Sequence, residues 1–226
     1  MQARDRLIVA ADLSTRAEIM ALAAELRDDA GAIKIGLQAF IANGPALVRE
    51  VVAGGVRVFL DLKVHDIPNT AHRAVAEAAN LGVAMLTVHA SGGGAMLRAA
   101  SGSAGSVLLL GVTMLTSLDE EEAGRVGFHG TVVDNAVRLA RLAKDSGLRG
   151  VVASPHEIEA IRTACGGDLT IVTPGIRMPG DASDDQRRTL TPAEAVARGA
   201  DYIVVGRPIT SAPNRRDAAR RIVDAM

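Results

Sequence analysis

The chain has 226 residues, 48% of them hydrophobic, and its formal net charge is −1 at pH 7. This composition predicts a folded globular protein, because disordered chains combine low hydrophobicity with high net charge. With three Phe, one Tyr and no Trp, and without a basic excess, the chain lacks the features of nucleic-acid binding proteins. Cys165 is the single cysteine, which excludes an intrachain disulfide.

The amino-terminal residues do not resemble a targeting signal. Residues 1–6 lead directly into a short apolar run at 7–11, without the longer apolar core of a signal peptide. No apolar run approaches the roughly 18 residues that a membrane span requires. Together with the lone cysteine, these features predict a cytoplasmic protein that has no membrane partner.

Short apolar runs alternate with helical patterns along the whole chain. The runs are nearly continuous, as in parallel strands covered on both faces, and lie at residues 7–11, 32–35, 56–60, 84–88, 107–112, 150–153, 169–172 and 202–205. Helical patterns between them include residues 16–27, 45–53, 69–81, 132–145, 155–164 and 192–198. Eight such units without a break in composition predict an α/β fold, a single (β/α)8 TIM barrel over residues 1–226.

Charged side chains fall at the ends of the predicted strands. Two acids and two lysines occupy these positions in the first three units: Asp12, Lys34, Asp61 and Lys63. Wet loops explain scattered polar residues, but they explain poorly two lysines and two acids at barrel-facing positions. Because barrel enzymes place their sites at the carboxyl ends of the strands, this pattern predicts an active site there.

The most informative stretch of the sequence is Asp61-Leu62-Lys63-Val64-His65-Asp66-Ile67-Pro68-Asn69-Thr70. Side chains alternate along a strand, so Asp61 and Lys63 are expected on one face. A bare Asp-x-Lys pair is better explained as a salt bridge at a strand end. The longer pattern, Asp-x-Lys-x-x-Asp-Ile-Pro-x-Thr, is far more specific.

This stretch resembles the signature of the orotidine 5′-phosphate decarboxylase family, and the resemblance extends over nearly the whole chain. It implies a homodimeric enzyme that produces uridine 5′-phosphate in pyrimidine synthesis, without a metal or another cofactor. Lys63 would protonate the carbanion that decarboxylation leaves, in a charged network with Lys34, Asp61 and Asp66. Asp66 would reach in from the partner subunit.

The resemblance also implies substrate contacts at Asp12, Lys34, Asp61, Ile67, Thr70, Thr116, Arg177, Gln186, Gly206 and Arg207. Asp12 would bind the ribose hydroxyls, although a helix N-cap is an alternative for an acid at this position. Asp66, Ile67 and Thr70 would cross the dimer interface to the partner's substrate. Thr116 would contact the pyrimidine.

A long connection of about 17 residues follows the seventh predicted strand, which is unusual for a barrel loop and typical of a lid. It resembles the loop that closes over the phosphate in this family, with Arg177 and Gln186 at substrate-contact positions. Gly206 and Arg207 match the family's phosphate grip after the eighth strand. Barrels commonly bind phosphate at the loops after strands 7 and 8.

Two other functions are compatible with parts of the pattern. Related barrels that keep Asp-x-Lys, such as hexulose-phosphate synthase and keto-gulonate-phosphate decarboxylase, stabilise an enediolate with magnesium. They place a glutamate ligand at the end of strand 2, where this chain has Lys34. The other alternative is a catalytically silent nucleotide-binding protein, since the fold alone does not determine activity. Retention of Lys34, Asp61, Lys63 and Asp66 favours the decarboxylase.

Overall fold

A computed structural model describes residues 1–178 and 190–226, which form one closed barrel of parallel strands in chain order. The strands are β1 Leu7–Ala10, β2 Ala32–Gly36, β3 Val58–Val64, β4 Met85–His89, β5 Leu108–Val112, β6 Gly150–Val152, β7 Thr170–Thr173 and β8 Tyr202–Val205. The barrel closes where β8 pairs with β1, with Leu7 opposite Ile203. The predicted (β/α)8 fold is therefore confirmed.

Helices alternate with these strands. Their bounds are α1 Ala3–Arg6, α2 Arg16–Leu26, α3 Leu37–Ala53, α4 Pro68–Asn80, α5 Gly93–Ser103, α6 Glu120–Arg125, α7 Val132–Asp145, α8 Ile158–Cys165, α9 Pro192–Ala197, α10 Arg207–Thr210 and α11 Arg215–Asp224. Within the described ranges 1–178 and 190–226, no helix has the length and apolar character needed to cross a membrane.

Local sequence explains most helix starts. The hydroxyls of Thr15, Thr131 and Thr191 each accept a hydrogen bond from a backbone N–H in the first turn, as N-cap residues do. The expected helical start at Pro45 is confirmed as the start of the second segment of α3, and the first segment, from Leu37, was not predicted. The chain kinks at Gly44, which has φ 69°, so the pattern from Pro45 is the second part of a longer element.

Apolar side chains fill the barrel interior and separate the site from the other end. Inside the barrel, a cluster is built around Ile8, Phe59, Met85, Leu110 and Val172. A larger layer packs between the strands and the surrounding helices. The charged side chains at the strand ends therefore lie directly above a packed apolar layer. Their mutual electrostatic interactions are stronger there than in water.

Candidate active site

A cavity of about 500 Å³ opens at the carboxyl ends of the strands. Eight of the predicted site residues line it: Asp12, Lys34, Asp61, Lys63, Thr116, Arg177, Gly206 and Arg207. Between them lie apolar side chains, among them Phe59, Val112 and Met114. This mixture of charged and apolar lining suits a small ligand that carries both apolar and charged groups.

Two lysines and two carboxylates form a connected network on one wall of this cavity. The Lys63 ammonium donates to both oxygens of Asp61, at 2.8 and 2.9 Å. The Lys34 ammonium lies 3.8 Å from Asp61 and donates to Asp12 at 3.1 Å. The sequence prediction that these four side chains converge is confirmed as a matter of geometry.

Asp61 is a largely buried carboxylate that stays ionised. Burial alone would raise the pKa of Asp61, but the charges of Lys63 and Lys34, with hydrogen bonds from Lys63 and Thr87, outweigh burial and hold this pKa below its ordinary value. The carboxylate is 14% exposed, whereas the Lys63 side chain is 37% exposed and faces the cavity. Asp61 therefore anchors the ammonium, and Lys63 presents it to a ligand.

Asp12 does not cap the following helix. Thr15 is the N-cap of α2, where its hydroxyl accepts a hydrogen bond from the Glu18 backbone N–H. Asp12 is 62% exposed and is held by Lys34, so its second oxygen can accept hydrogen bonds from a ligand. The helix-cap alternative for Asp12 is wrong.

Asp61 and Lys63 meet as strand alternation predicts, but the backbone between them is not that of a regular strand. The predicted strand ended at residue 60, but β3 continues to Val64 and its register with β4 shifts between Leu60 and Val64. Within this irregular segment Lys63 has φ 52°, a left-handed conformation that is uncommon for a residue with a side chain. In this conformation the Lys63 side chain contacts Asp61 and lines the cavity.

Two arginine-bearing segments, after β7 and after β8, also line the cavity, and β8 is the barrel neighbour of β1. Arg177 follows β7, and its backbone N–H donates to the carbonyl of Leu190. Gly206 and Arg207 follow β8, where Arg207 begins α10. Guanidinium groups bind phosphate oxygens in bidentate fashion, so this part of the cavity suits an anionic group.

Three predicted residues lie apart from the cavity of their own chain. Asp66, Ile67 and Thr70 are exposed, at the turn before α4 and in its first turn. The Asp66 carboxylate accepts a hydrogen bond from the Ile67 backbone at 2.7 Å, and the apolar Ile67 is 67% exposed. Gln186, also a predicted contact, lies outside the described residues.

The structure also identifies residues to which the sequence analysis assigned no role. Ser154 lines the cavity, is fully buried, and its hydroxyl has no hydrogen-bond partner within residues 1–178 and 190–226. Thr87, in the middle of β4, donates to Asp61 at 2.9 Å. A polar residue at the end of a strand was a usable signal for Ser154, whereas no sequence motif marks Thr87.

A histidine pair lies beside the lysine network. The rings of His65 and His89 are 5.3 Å apart and tilted by 40°. Burial lowers the pKa of His89, and the charges of His65 and Lys63 lower it further against the opposing effect of Asp61. His89 is therefore neutral near pH 7, so that it adds no positive charge beside Lys63.

Comparisons with known proteins agree with this geometry. Residues 5–222 match the family described as "Orotidine 5'-phosphate decarboxylase / HUMPS family". An orotidine 5′-phosphate decarboxylase from Heliobacterium modesticaldum is 48% identical over 236 residues, covering 100% of this chain and 97% of its own. One from Moorella thermoacetica is 49% identical over 232 residues, covering 98% and 92%.

Solved structures give the same result at the level of the fold. The crystal structure of orotidine 5′-phosphate decarboxylase from Lactobacillus acidophilus superimposes with a TM-score of 0.86 at 34% identity, covering 97% of each chain. That from Pyrococcus horikoshii OT3 has a TM-score of 0.79 at 26% identity, covering 97% of this chain and 98% of its own. The chain described here belongs to the orotidine 5′-phosphate decarboxylase / HUMPS family.

Proposed function

We propose that this protein decarboxylates orotidine 5′-phosphate to uridine 5′-phosphate and CO2, with no metal or other cofactor. The observation that carries the proposal is the Lys63 ammonium, held on Asp61 at 2.8 Å at the wall of the cavity. Family membership supports the substrate, because the relatives compared above are named for this activity.

The chemistry requires a positive charge and a proton at one position. Breaking the bond between the ring carbon and the carboxylate releases CO2 and leaves the electron pair on that carbon. The Lys63 ammonium stabilises this charge as it develops and then donates a proton to the carbon, and solvent restores the lysine proton. An interaction that the protein makes more strongly with the transition state than with the substrate accelerates the reaction.

The remaining cavity residues bind the nucleotide. Arg177, Gly206 and Arg207 hold the phosphate, with Gln186 as a further contact. Asp12 accepts hydrogen bonds from the ribose hydroxyls, and Thr116 contacts the pyrimidine. Binding energy from the distant phosphate orients the ring at Lys63, so that it contributes to turnover as well as to affinity.

The active unit is a homodimer in this proposal. Asp66, Ile67 and Thr70 stand exposed beside the end of β3 rather than in their own cavity, which is the arrangement expected if they serve a partner's site. The exposed apolar side chain of Ile67 supports a contact surface. We place this dimer in the cytoplasm, as the sequence features predict.

The donor set at the cavity suits magnesium poorly. The carboxylates of Asp12 and Asp61 are both held by lysine ammonium groups, which would repel a divalent cation. Within residues 1–178 and 190–226, no group of three or more His, Cys, Asp or Glu side chains could hold a metal ion. This charge arrangement favours the nucleotide decarboxylase over a magnesium-dependent sugar-phosphate enzyme.

The deciding experiment follows the ultraviolet absorbance of the orotate ring when purified protein meets orotidine 5′-phosphate, with and without EDTA. Loss of the chromophore at the same rate in both samples is the expected result. Turnover that stops with EDTA and returns with magnesium would contradict the metal-independent mechanism. Tight binding of uridine 5′-phosphate without turnover would instead identify a silent nucleotide-binding protein.

A further inference from the structure

The left-handed backbone at Lys63 needs a specific stabilising partner. Between paired positions Leu60–Leu86 and Val64–Val88, β3 advances four residues while β4 advances two, so that β3 carries two extra residues. Lys63 is the one non-glycine residue with positive φ within the described ranges 1–178 and 190–226. A left-handed backbone is unfavourable for a residue with a side chain, so surrounding contacts must hold it.

The hydroxyl of Thr87 supplies these contacts. It accepts a hydrogen bond from the Lys63 backbone N–H at 2.9 Å and lies 2.9 Å from an Asp61 carboxylate oxygen. Because an ionised carboxylate only accepts, the Thr87 proton must point to Asp61. Both hydrogen-bonding functions of this one hydroxyl are therefore used at the distorted segment.

These hydrogen bonds form a closed ring that includes both the backbone N–H and the side-chain ammonium of Lys63. The Lys63 backbone binds Thr87, Thr87 binds Asp61, and Asp61 binds the Lys63 ammonium. Thr87 is fully buried and lies behind the cavity wall, not among the residues that line it. A ligand in the cavity would meet Lys63 and Asp61 but not Thr87.

We propose that Thr87 is a positioning residue, which determines the rate of the reaction by fixing the Lys63 backbone and the Asp61 carboxylate in one geometry. This inference rests on the proposed function for its kinetic consequence. A carboxylate that keeps its position stabilises the ammonium without having to reorient during the reaction. Thr87 therefore affects turnover and leaves nucleotide affinity unchanged.

The test compares Thr87→Val with Thr87→Ser. Valine keeps the shape but removes the hydroxyl, whereas serine restores it. Loss of a hydrogen bond to a charged group corresponds to roughly a 10- to 100-fold effect, which we expect in the kcat of Thr87→Val for orotidine 5′-phosphate. The KM and the Kd for uridine 5′-phosphate should remain within about twofold, and Thr87→Ser should recover most of kcat.

Thr113→Val is the matched control, because Thr113 is also buried, directly follows the neighbouring strand β5, and its hydroxyl donates to the Val152 carbonyl. This variant should keep the kcat of the unmodified protein. If Thr87→Val unfolds, Thr87→Cys provides a weakly hydrogen-bonding group of similar size, and an intermediate kcat is expected. A Thr87→Val protein with undiminished kcat would overturn the proposal, as would equal losses of kcat and nucleotide affinity that serine does not restore.

Crystal structures of the two Thr87 variants test the inference independently of activity. Lys63 should leave the left-handed region in Thr87→Val and keep it in Thr87→Ser. An unchanged Lys63 backbone in Thr87→Val would refute the positioning role even if the protein decarboxylates orotidine 5′-phosphate. An inactive unmodified protein in which Lys63 still depends on Thr87 would refute the proposed function alone.

Discussion

Two carboxylates in this barrel are each held between two cationic side chains, yet only one of them faces the cavity. Asp29, in the turn after α2, accepts from Arg216 at 2.6 Å and from Arg220 at 2.8 Å. Asp61 is bound by Lys63 at 2.8 Å and lies 3.8 Å from Lys34. Both carboxylates are largely buried, with exposed fractions of 7% and 14%.

The electrostatics of the two clusters are alike. Burial opposes ionisation in both cases, and the neighbouring cations still hold the pKa of Asp29 and the pKa of Asp61 below their ordinary values. A lowered carboxylate pKa therefore does not by itself identify an active site. Structural ion pairs perturb a pKa in the same direction as catalytic ones.

The surroundings distinguish the clusters. Arg216 and Arg220 lie on the regular helix α11 and tie it to the end of α2, so this cluster connects the two ends of the chain. The lysines beside Asp61 line an open cavity, and Lys63 has a left-handed backbone. The cavity and the backbone distortion distinguish the Asp61 cluster from the Asp29 cluster, and they support the proposal that Asp61 belongs to the active site.

Removing the Lys63 side chain should give the largest difference in activity between the two clusters. We expect Lys63→Ala to lower kcat by more than about 10³-fold, because both the stabilising charge and the proton donor are lost. Folding and uridine 5′-phosphate binding should persist, as measured by thermal unfolding and by titration. Lys144→Ala, which breaks the pair with Asp168 away from the cavity, is the control. Near-native turnover in Lys63→Ala would contradict the catalytic role proposed for this lysine.

Arg207→Ala tests whether the cavity is a nucleotide site. Losing the guanidinium should reduce kcat/KM for orotidine 5′-phosphate by about 10²-fold, since hydrogen bonds to charged groups contribute roughly 1.5–3 kcal/mol each. Phosphate-free orotidine should be turned over by the variant and the unmodified protein at similar rates. Equal losses with both compounds would contradict a phosphate contact at Arg207.

Asp29→Asn should produce the opposite pattern from Lys63→Ala. Without the carboxylate charge, Arg216 and Arg220 lose their shared partner, and we expect the free energy of unfolding to fall by about 1–2 kcal/mol. The expected loss of stability is moderate because both arginine side chains are about half exposed and can be hydrated. Chemical denaturation measures this loss, and kcat should stay unchanged. An Asp29→Asn variant with unchanged stability and reduced kcat would contradict a purely structural role for Asp29.

The pH dependence of stability follows from the two lowered pKa values. A carboxylate with a depressed folded-state pKa contributes stability that is complete above its unfolded pKa, about 3.9, and is lost as the pH falls through the folded-state value. The free energy of unfolding should therefore stay level with respect to these groups down to about pH 5 and decrease below it. Acid titration of Asp29→Asn should show a shallower decrease, and identical curves would exclude Asp29 as a contributor.

The smallest expected effect concerns the space around Lys34. A Cβ at Gly36 would lie 3.0 Å from the Lys34 ammonium and 3.5 Å from an Asp12 oxygen. Gly36→Ala should displace the ammonium by a few tenths of an ångström and lower kcat by about two- to tenfold, because catalytic groups tolerate little misplacement. Gly102→Ala, where a Cβ would meet nothing, is the control. Unchanged kinetics in Gly36→Ala would show that Lys34 adjusts freely.

Much of the architecture could be predicted from the sequence, because it depends on local patterns. The alternation of apolar runs and helical stretches determined the barrel, and parallel closure brings all carboxyl strand ends to one side. The convergence of Asp12, Lys34, Asp61 and Lys63 followed from their positions at those ends. The assignment of chemistry to them came from the resemblance of the Asp61–Thr70 stretch to a known family.

Only the tertiary structure could decide how these side chains are held. Thr87 is an ordinary threonine in an apolar strand, and its importance arises because β4 lies beside a segment of β3 with two extra residues. Asp29 is a surface-like acid in the sequence, and it is buried because arginines 187 and 191 positions away fold against it. Periodicity reports which face a residue takes within its own element. Register shifts and distant ion pairs depend on how elements meet, which no local pattern encodes.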